Sequence, residues 1–213
     1  MAETSSPRRV TDLERSAFWI YGVTALVMRE PISLVVRHSV EAGFGDWQVR
    51  LELLRLGMVL LVLSRLFLSV GLYFERVYMQ SGAAELYPKR SYPVDFLAGL
   101  VQFLAAVAVA TSIGLHSRTS AGYSPFLLLV ALSLIVDWFW LATAALRASS
   151  SLGLITRAAW VNTGMLITGM LVFRIARLAG LDPVFSEQTA LIMLAVVMLV
   201  DLAFGITSYE ALD

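Results

Sequence analysis

The chain has 213 residues, of which 58% are hydrophobic and 15% are charged, and its formal net charge at pH 7 is zero. A composition this apolar excludes a soluble globular domain, and the charge balance gives no indication of a nucleic-acid partner. Because the chain contains no cysteine, disulfides, thiolate metal sites, iron–sulfur clusters and a cysteine nucleophile are also excluded.

The apolar residues lie in long blocks, and this pattern predicts an all-α integral membrane protein. Residues 1–15 are polar and mixed in charge, so we expect a tail ahead of the first block. Residues 16–28 are apolar, but a helix of that length covers only about 20 Å, less than the hydrocarbon core. A charged break follows, and Pro31 is placed to start a second, amphipathic helix over residues 31–41. The first helix is therefore either a short tilted span or a re-entrant or interfacial segment.

Longer apolar helices follow this first segment. Gly43 breaks the chain, and Asp46 is well placed to cap a helix that runs from residue 47 to about 78. Four more apolar helices are predicted, at residues 93–115, 125–146, 153–173 and 189–208. Together these segments predict one polytopic domain over residues 16–208, a bundle of about six transmembrane helices, with a short C-terminal tail at 209–213. The number of spans is five if the first segment does not cross.

The helix at residues 125–146 organises the rest, because it carries a carboxylate, Asp137, near its midpoint. An aspartate at mid-depth in a bilayer costs at least about 2.5 kcal/mol on insertion scales, so it should have a partner or a water path. Arg65 lies at the middle of its own helix. Because a guanidinium can bind a carboxylate through two parallel hydrogen bonds, we predict that Arg65 pairs with Asp137.

Further ionisable residues lie inside the predicted helices. The buried charge network or ion pathway that they predict comprises Arg65, Asp137, Asp201, Asp95 and Arg157. One interpretation is a structural ion pair that orders the bundle, and the other is a proton or cation path through the aspartates. A shift of 64 residues aligns Asp137 with Asp201, a weak indication of duplicated, parallel halves.

Polar and aromatic side chains in the same helices are candidates for lining a cavity. These are Gln102, Trp138, Trp140 and Asn162. Gln102 belongs to a stripe of small and polar residues, which favours close helix packing over a pore lining, and Gly164 is expected to pack in the same way on the next helix. The two tryptophans either wall a ligand cavity or fill the bundle core.

The sequence contains no H-E-x-x-H, G-x-S-x-G, Walker A or G-x-G-x-x-G motif, so an enzyme is disfavoured. No metal or cofactor is expected, because His38 and His116 fall at loops or helix ends and not inside a span. The expected partners are the lipid bilayer and either a second copy or another membrane protein; no ligand is indicated. We therefore expect a structural, sensory or assembly component of a bacterial-type plasma membrane. The alternative is a small transporter or channel with a proton or cation relay.

Overall fold

The computed structural model describes residues 7–74, 92–114, 124–147 and 152–210, and within these ranges all regular structure is helical. The helices are α1 (Pro7–Ala42), α2 (Trp47–Phe74), α3 (Tyr92–Thr111), α4 (Pro125–Arg147), α5 (Leu152–Leu178) and α6 (Pro183–Glu210). The all-helical prediction is confirmed. Helices α2 to α6 also lie close to the predicted ranges, with α6 starting earlier than expected.

The N-terminal helix differs from the prediction, because α1 is a single helix that includes both Pro31 and part of the expected tail. An internal proline removes one backbone hydrogen bond and normally kinks or ends a helix. Here Met28, Pro31 and Val35 are all buried and lie at spacings of three and four residues. They form one apolar stripe that packs against α2 and α3 across the proline. Burial of this stripe explains why the helix continues, and the predicted second helix at residues 31–41 is wrong.

Glycines in a left-handed conformation and aspartate caps define two tight turns. Gly43 has φ of 78° and Gly180 has φ of 86°, values that side-chain-bearing residues rarely adopt. Asp46 accepts the backbone N–H of Gln48 at 2.7 Å, which confirms the predicted cap of α2. Asp182 caps α6 in the same way, accepting a backbone N–H two residues on at 2.8 Å. Helices α1 and α2, which the turn at Gly43 joins, are therefore antiparallel, and so are α5 and α6, which the turn at Gly180 joins.

Ion pairs between α2 and α6 establish that these two helices are parallel. Arg55 contacts Glu187, and ten residues further along α2, Arg65 contacts Asp201. The contacts follow the same order on both helices, so both run in the same direction. The polar groups consequently lie at two levels, separated by about 15 Å of helix rise along α2.

Contacts from α3 and α4 follow the same two levels. Arg55 approaches the Ile113 carbonyl of the α3 C-terminal turn and the Phe126 ring of α4. At the other level, Gln102 of α3 contacts Asp137 of α4. The order of contacts makes α4 parallel to α2 and α3 antiparallel to it. The result is a bundle of helices that alternate in direction.

Helices α5 and α6 pack most closely at a glycine. A Cβ atom added to Gly169 would lie 2.7 Å from the Leu194 side chain, so a larger residue there requires Leu194 to move. Gly164, expected to make such a contact, is exposed, and a Cβ there would meet nothing within 4 Å. The packing glycine is thus one turn and a residue further along α5, and the expectation for Gly164 is wrong.

Three helices among the described residues are long and apolar enough to cross a membrane. These segments are Pro125–Thr143, Trp160–Leu178 and Pro183–Ala203. In α3 the apolar part, Leu97–Thr111, is shorter. The outward faces of α3 to α6 carry large exposed hydrophobic side chains, which fits a membrane location.

Candidate functional site

The charged centre of the bundle is an arginine that bridges two aspartates from different helices. Arg65 of α2 donates from Nη1 to Oδ2 of Asp137 at 3.1 Å and from Nε to Oδ2 of Asp201 at 2.9 Å. The structure therefore places the predicted pair together but divides the guanidinium between two carboxylates. The two aspartates aligned by the 64-residue shift share this one arginine.

Two side-chain amides complete the contacts of Asp137. Gln102 of α3 donates from Nε2 to Oδ1 at 2.7 Å, and Asn162 of α5 donates from Nδ2 to Oδ2. We call Arg65, Gln102, Asp137, Asn162 and Asp201 the central polar cluster. Because each member comes from a different helix, the cluster joins α2, α3, α4, α5 and α6 at one level. Hydrogen bonds to a charged group are roughly twice as strong as neutral ones, so this carboxylate is a strong cross-link.

The central polar cluster is mostly shielded but not closed. The side chains of Asp137 and Asp201 are 18% and 22% exposed, and that of Arg65 is 10% exposed. Gln102 and Asn162 are buried, at 4% and 1% exposure. Among the residues that the structure describes, neither amide oxygen, Oε1 of Gln102 or Oδ1 of Asn162, has a hydrogen-bond partner. A buried carbonyl group without a partner costs about 1–3 kcal/mol, so these two oxygens require an explanation.

A small cavity adjoins the cluster. Its volume is about 30 Å³, and it is lined by Val62, Arg65, Leu66, Gln102, Ala106, Ser133, Leu134, Asp137 and Met198. A cavity of this size has room for one or two water molecules. Gln102, a candidate for lining a cavity, is among these residues, while Asn162 belongs to the cluster beside it.

The aromatic residues beside Asp137 face different surroundings. Trp138 is half-exposed and packs edge to face on Phe139, with ring centroids 5.9 Å apart and an interplanar angle of 85°. Trp140 is buried within the bundle. The two tryptophans are two residues apart on the helix and so point in directions about 200° apart. Neither lines the cavity beside Asp137, and their predicted place in a cavity wall stays a prediction.

The two remaining predicted site residues lie in helices, Asp95 in α3 and Arg157 in α5. Their side chains are outside the part of the chain that the structure describes in detail. The prediction that they belong to the charge network therefore stays a prediction.

A second ion pair was not predicted. Arg55 of α2 donates from Nε to Oε1 of Glu187 at 2.7 Å and from Nη2 to Oε2 at 2.9 Å, a bidentate pair. Its Nη1 donates to the Ile113 carbonyl at 2.8 Å, and its guanidinium lies 5.4 Å from the Phe126 ring centroid. Arg55 is 2% exposed and Glu187 is fully buried. We call Arg55 and Glu187 the peripheral ion pair.

The sequence contains a signal for this pair. A last helix that starts at residue 189 places Glu187 in a loop, where a charge needs no partner. Asp182 followed by Pro183 is a typical helix start, with a capping side chain and a proline in the first position. Starting α6 at Pro183 places Glu187 inside the helix and predicts that it needs a cation.

A third contact joins α1 to α2. His38 lies with Nδ1 at 3.0 Å from both carboxylate oxygens of Glu52, and Gln48 donates to the same carboxylate at 3.3 Å. Glu52 is buried and His38 is partly exposed. This contact fixes the C-terminal end of α1 against the start of α2.

No group of three or more histidine, cysteine, aspartate or glutamate side chains within the described residues has the arrangement to hold a metal ion. No family model, curated protein or solved structure matches this chain, so the geometry of its charge clusters is the basis for inferring a function.

Proposed function

We propose that the chain is a multi-pass protein of a bacterial-type plasma membrane in which all six helices cross the bilayer, and that it serves as a structural or assembly component. The alternating helix directions support this topology, as do the three strongly apolar helices. Helix α2 has 28 residues, about 42 Å of rise, which exceeds the roughly 30 Å hydrocarbon core. Its arginines at positions 55 and 65 are both paired with carboxylates of α6, which reduces the cost of placing them in a membrane.

The observation that carries the proposed role is an apolar layer between the two charged levels. Between the peripheral ion pair and the central polar cluster, most of the described inward-facing residues of α2 to α6 are buried and hydrophobic; Ser133, next to the cavity, is a buried polar exception. This layer contains Met58, Val59, Val109, Leu127, Val130, Met165, Leu191 and Leu194. A proton or cation relay needs polar groups or water along its whole length. A layer of packed aliphatic side chains favours a bundle held together by charge pairs over one that conducts through them.

Flux measurements test this role directly. The purified protein, reconstituted into liposomes, should pass no more protons, Na⁺ or K⁺ than protein-free liposomes when an ion gradient is applied. An ionophore added at the end shows that the gradient was intact. Protein-dependent flux that disappears in a folded Asp137→Asn variant would establish the relay and exclude a purely structural role.

Topology is tested separately. Single cysteines introduced into this cysteine-free chain, at Phe44 and in the turn at Gly180, should both react with a membrane-impermeant maleimide from the same side. Both turns lie at the level of the peripheral ion pair, because Gln188 at the start of α6 donates to the Trp47 carbonyl of α2. Labelling from opposite sides would contradict the parallel arrangement of α2 and α6.

A further inference from the structure

We propose that the cavity beside Asp137 binds one small monovalent cation, for which Na⁺ is the model, as a fixed component of the central polar cluster. The proposal goes beyond the structural role and does not depend on it, because a bound ion is compatible with either a static or a conducting bundle. Three features of the cluster support it: acceptors without donors, an excess of negative charge, and the size of the cavity.

The acceptors are the amide oxygens of Gln102 and Asn162. Each amide donates a hydrogen bond from its nitrogen to Asp137, which fixes the orientation of the amide and turns the oxygen away from the carboxylate. Both oxygens are buried and have no hydrogen-bond partner in the described part of the chain, and Gln102 lines the cavity. A carbonyl oxygen in this position is satisfied by a hydrogen-bond donor or by a cation, and not by an anion.

The net charge of the described side chains in the cluster favours a cation over a neutral hydrogen-bond donor. Among the described side chains of the cluster, the guanidinium of Arg65 is in contact with two carboxylates, Asp137 and Asp201. One guanidinium therefore faces two carboxyl groups at a place where water access is restricted. An uncompensated charge in such surroundings is unfavourable, and a bound cation near Asp137 removes the excess.

Size and ligand chemistry narrow the class of cation. The cavity of about 30 Å³ accepts an ion with at most a water molecule beside it, and excludes organic ammonium ions such as choline. Divalent ions such as Ca²⁺ require six to eight oxygen ligands, often several of them carboxylates. The Arg65 guanidinium also lines the cavity, but it is paired with Asp137 and Asp201. The ligands that remain for an ion are one carboxylate, one amide oxygen and the Ser133 hydroxyl, a set suited to a singly charged ion.

The test compares thermal unfolding of the full-length protein in detergent micelles, in NaCl and in choline chloride at equal ionic strength, followed by tryptophan fluorescence. At a concentration about ten times its dissociation constant, Na⁺ should raise the Tm by about 3 °C, with a saturable dependence on concentration. Equal Tm values in the two salts would overturn the proposal and show that the cavity holds water only.

Two variants locate the ion. Asp201→Asn keeps an oxygen to accept from Arg65 and removes one negative charge, so it should abolish the Na⁺-dependent shift without lowering the Tm in choline chloride. Gln102→Met removes the amide oxygen at similar volume and should also abolish the shift. If both variants retain it, Na⁺ acts elsewhere and the proposal fails.

Two controls make the result specific. Glu187→Gln weakens the peripheral ion pair and should lower the Tm in both salts while leaving the Na⁺-dependent difference unchanged. Arg157 precedes Asn162 on α5 by about 7.5 Å of rise, and Arg157→Gln tests whether a second arginine supplies the charge. The proposal predicts the same Na⁺ shift in this variant as in the unaltered protein. A shift that appears only after removal of Arg157 would mean that the arginine, and not a cation, balances the cluster.

Discussion

Breaking the peripheral ion pair should destabilise the bundle much more than removing it altogether. Arg55 and Glu187 are both almost fully buried and are joined by two parallel hydrogen bonds of 2.7 and 2.9 Å. Removing one partner of a buried pair leaves an uncompensated charge and typically costs about 3–5 kcal/mol. We therefore expect each single variant, Arg55→Met and Glu187→Met, to lose about that much unfolding free energy.

The double variant should recover most of this loss. Two methionines of flexible shape fill the space of the pair without leaving a buried charge, and such replacements of buried ion pairs are often neutral or better. One penalty remains, because the Ile113 carbonyl loses the hydrogen bond from Arg55. An orphaned buried carbonyl costs about 1–3 kcal/mol, so this is the net destabilisation expected for the double variant.

The measurement is reversible unfolding in mixed detergent and SDS micelles, with tryptophan fluorescence as the signal and the four proteins of the cycle compared under one condition. The interaction energy then follows from the non-additivity of the two substitutions. Additive losses, with the double variant as destabilised as the sum of the singles, would refute the claim that Arg55 and Glu187 neutralise each other in the bundle.

Other substitutions test single contacts by the same unfolding assay. Gly169→Ala places a methyl group 2.7 Å from the Leu194 side chain and should lower the unfolding free energy by about 1–3 kcal/mol. Gly164→Ala, in open space, should change it by less than about 0.5 kcal/mol. Equal effects of the two substitutions would contradict the close approach of α5 and α6. Asn162→Leu removes a hydrogen bond to Asp137 worth about 1.5–3 kcal/mol, but it also removes a buried amide oxygen whose lack of a partner costs about 1–3 kcal/mol. The net loss should therefore stay below about 2 kcal/mol, and a larger loss would mean that this oxygen is satisfied in the folded protein. Asp46→Ala removes the cap of α2 and should cost about 1 kcal/mol, while Asp46→Asn should cost less.

Most of the helices follow from local patterns in the sequence. Long apolar blocks predict α4, α5 and most of α3, and a capping aspartate after a glycine predicts the start of α2. The error at α1 has a tertiary cause. A proline in a charged break normally ends a helix. Here the burial of Met28 and Val35 on either side of Pro31 overrides that preference, and this burial is a property of the packed bundle.

In the candidate site, too, local patterns predict some features and tertiary packing determines the others. A charge in the middle of an apolar helix needs a partner, and this requirement predicts that Arg65 and Asp137 form a pair. The identity of every partner depends on which helices adjoin and on their rotation, and no local pattern carries this information. Division of Arg65 between two aspartates, and the donation of both amides to Asp137, therefore required the structure.

The two polar levels differ in a way that bears on function. The peripheral ion pair is charge-balanced, its guanidinium also meets a carbonyl and a ring, and it is sealed from solvent. The central polar cluster has an excess of carboxylates among its described side chains, unpaired amide oxygens, partial exposure and an adjoining cavity. A purely structural cross-link is most stable when every charge and acceptor is satisfied, as in the peripheral ion pair. The unsatisfied groups of the central cluster therefore make it, and not the peripheral pair, the place where we propose that a cation binds.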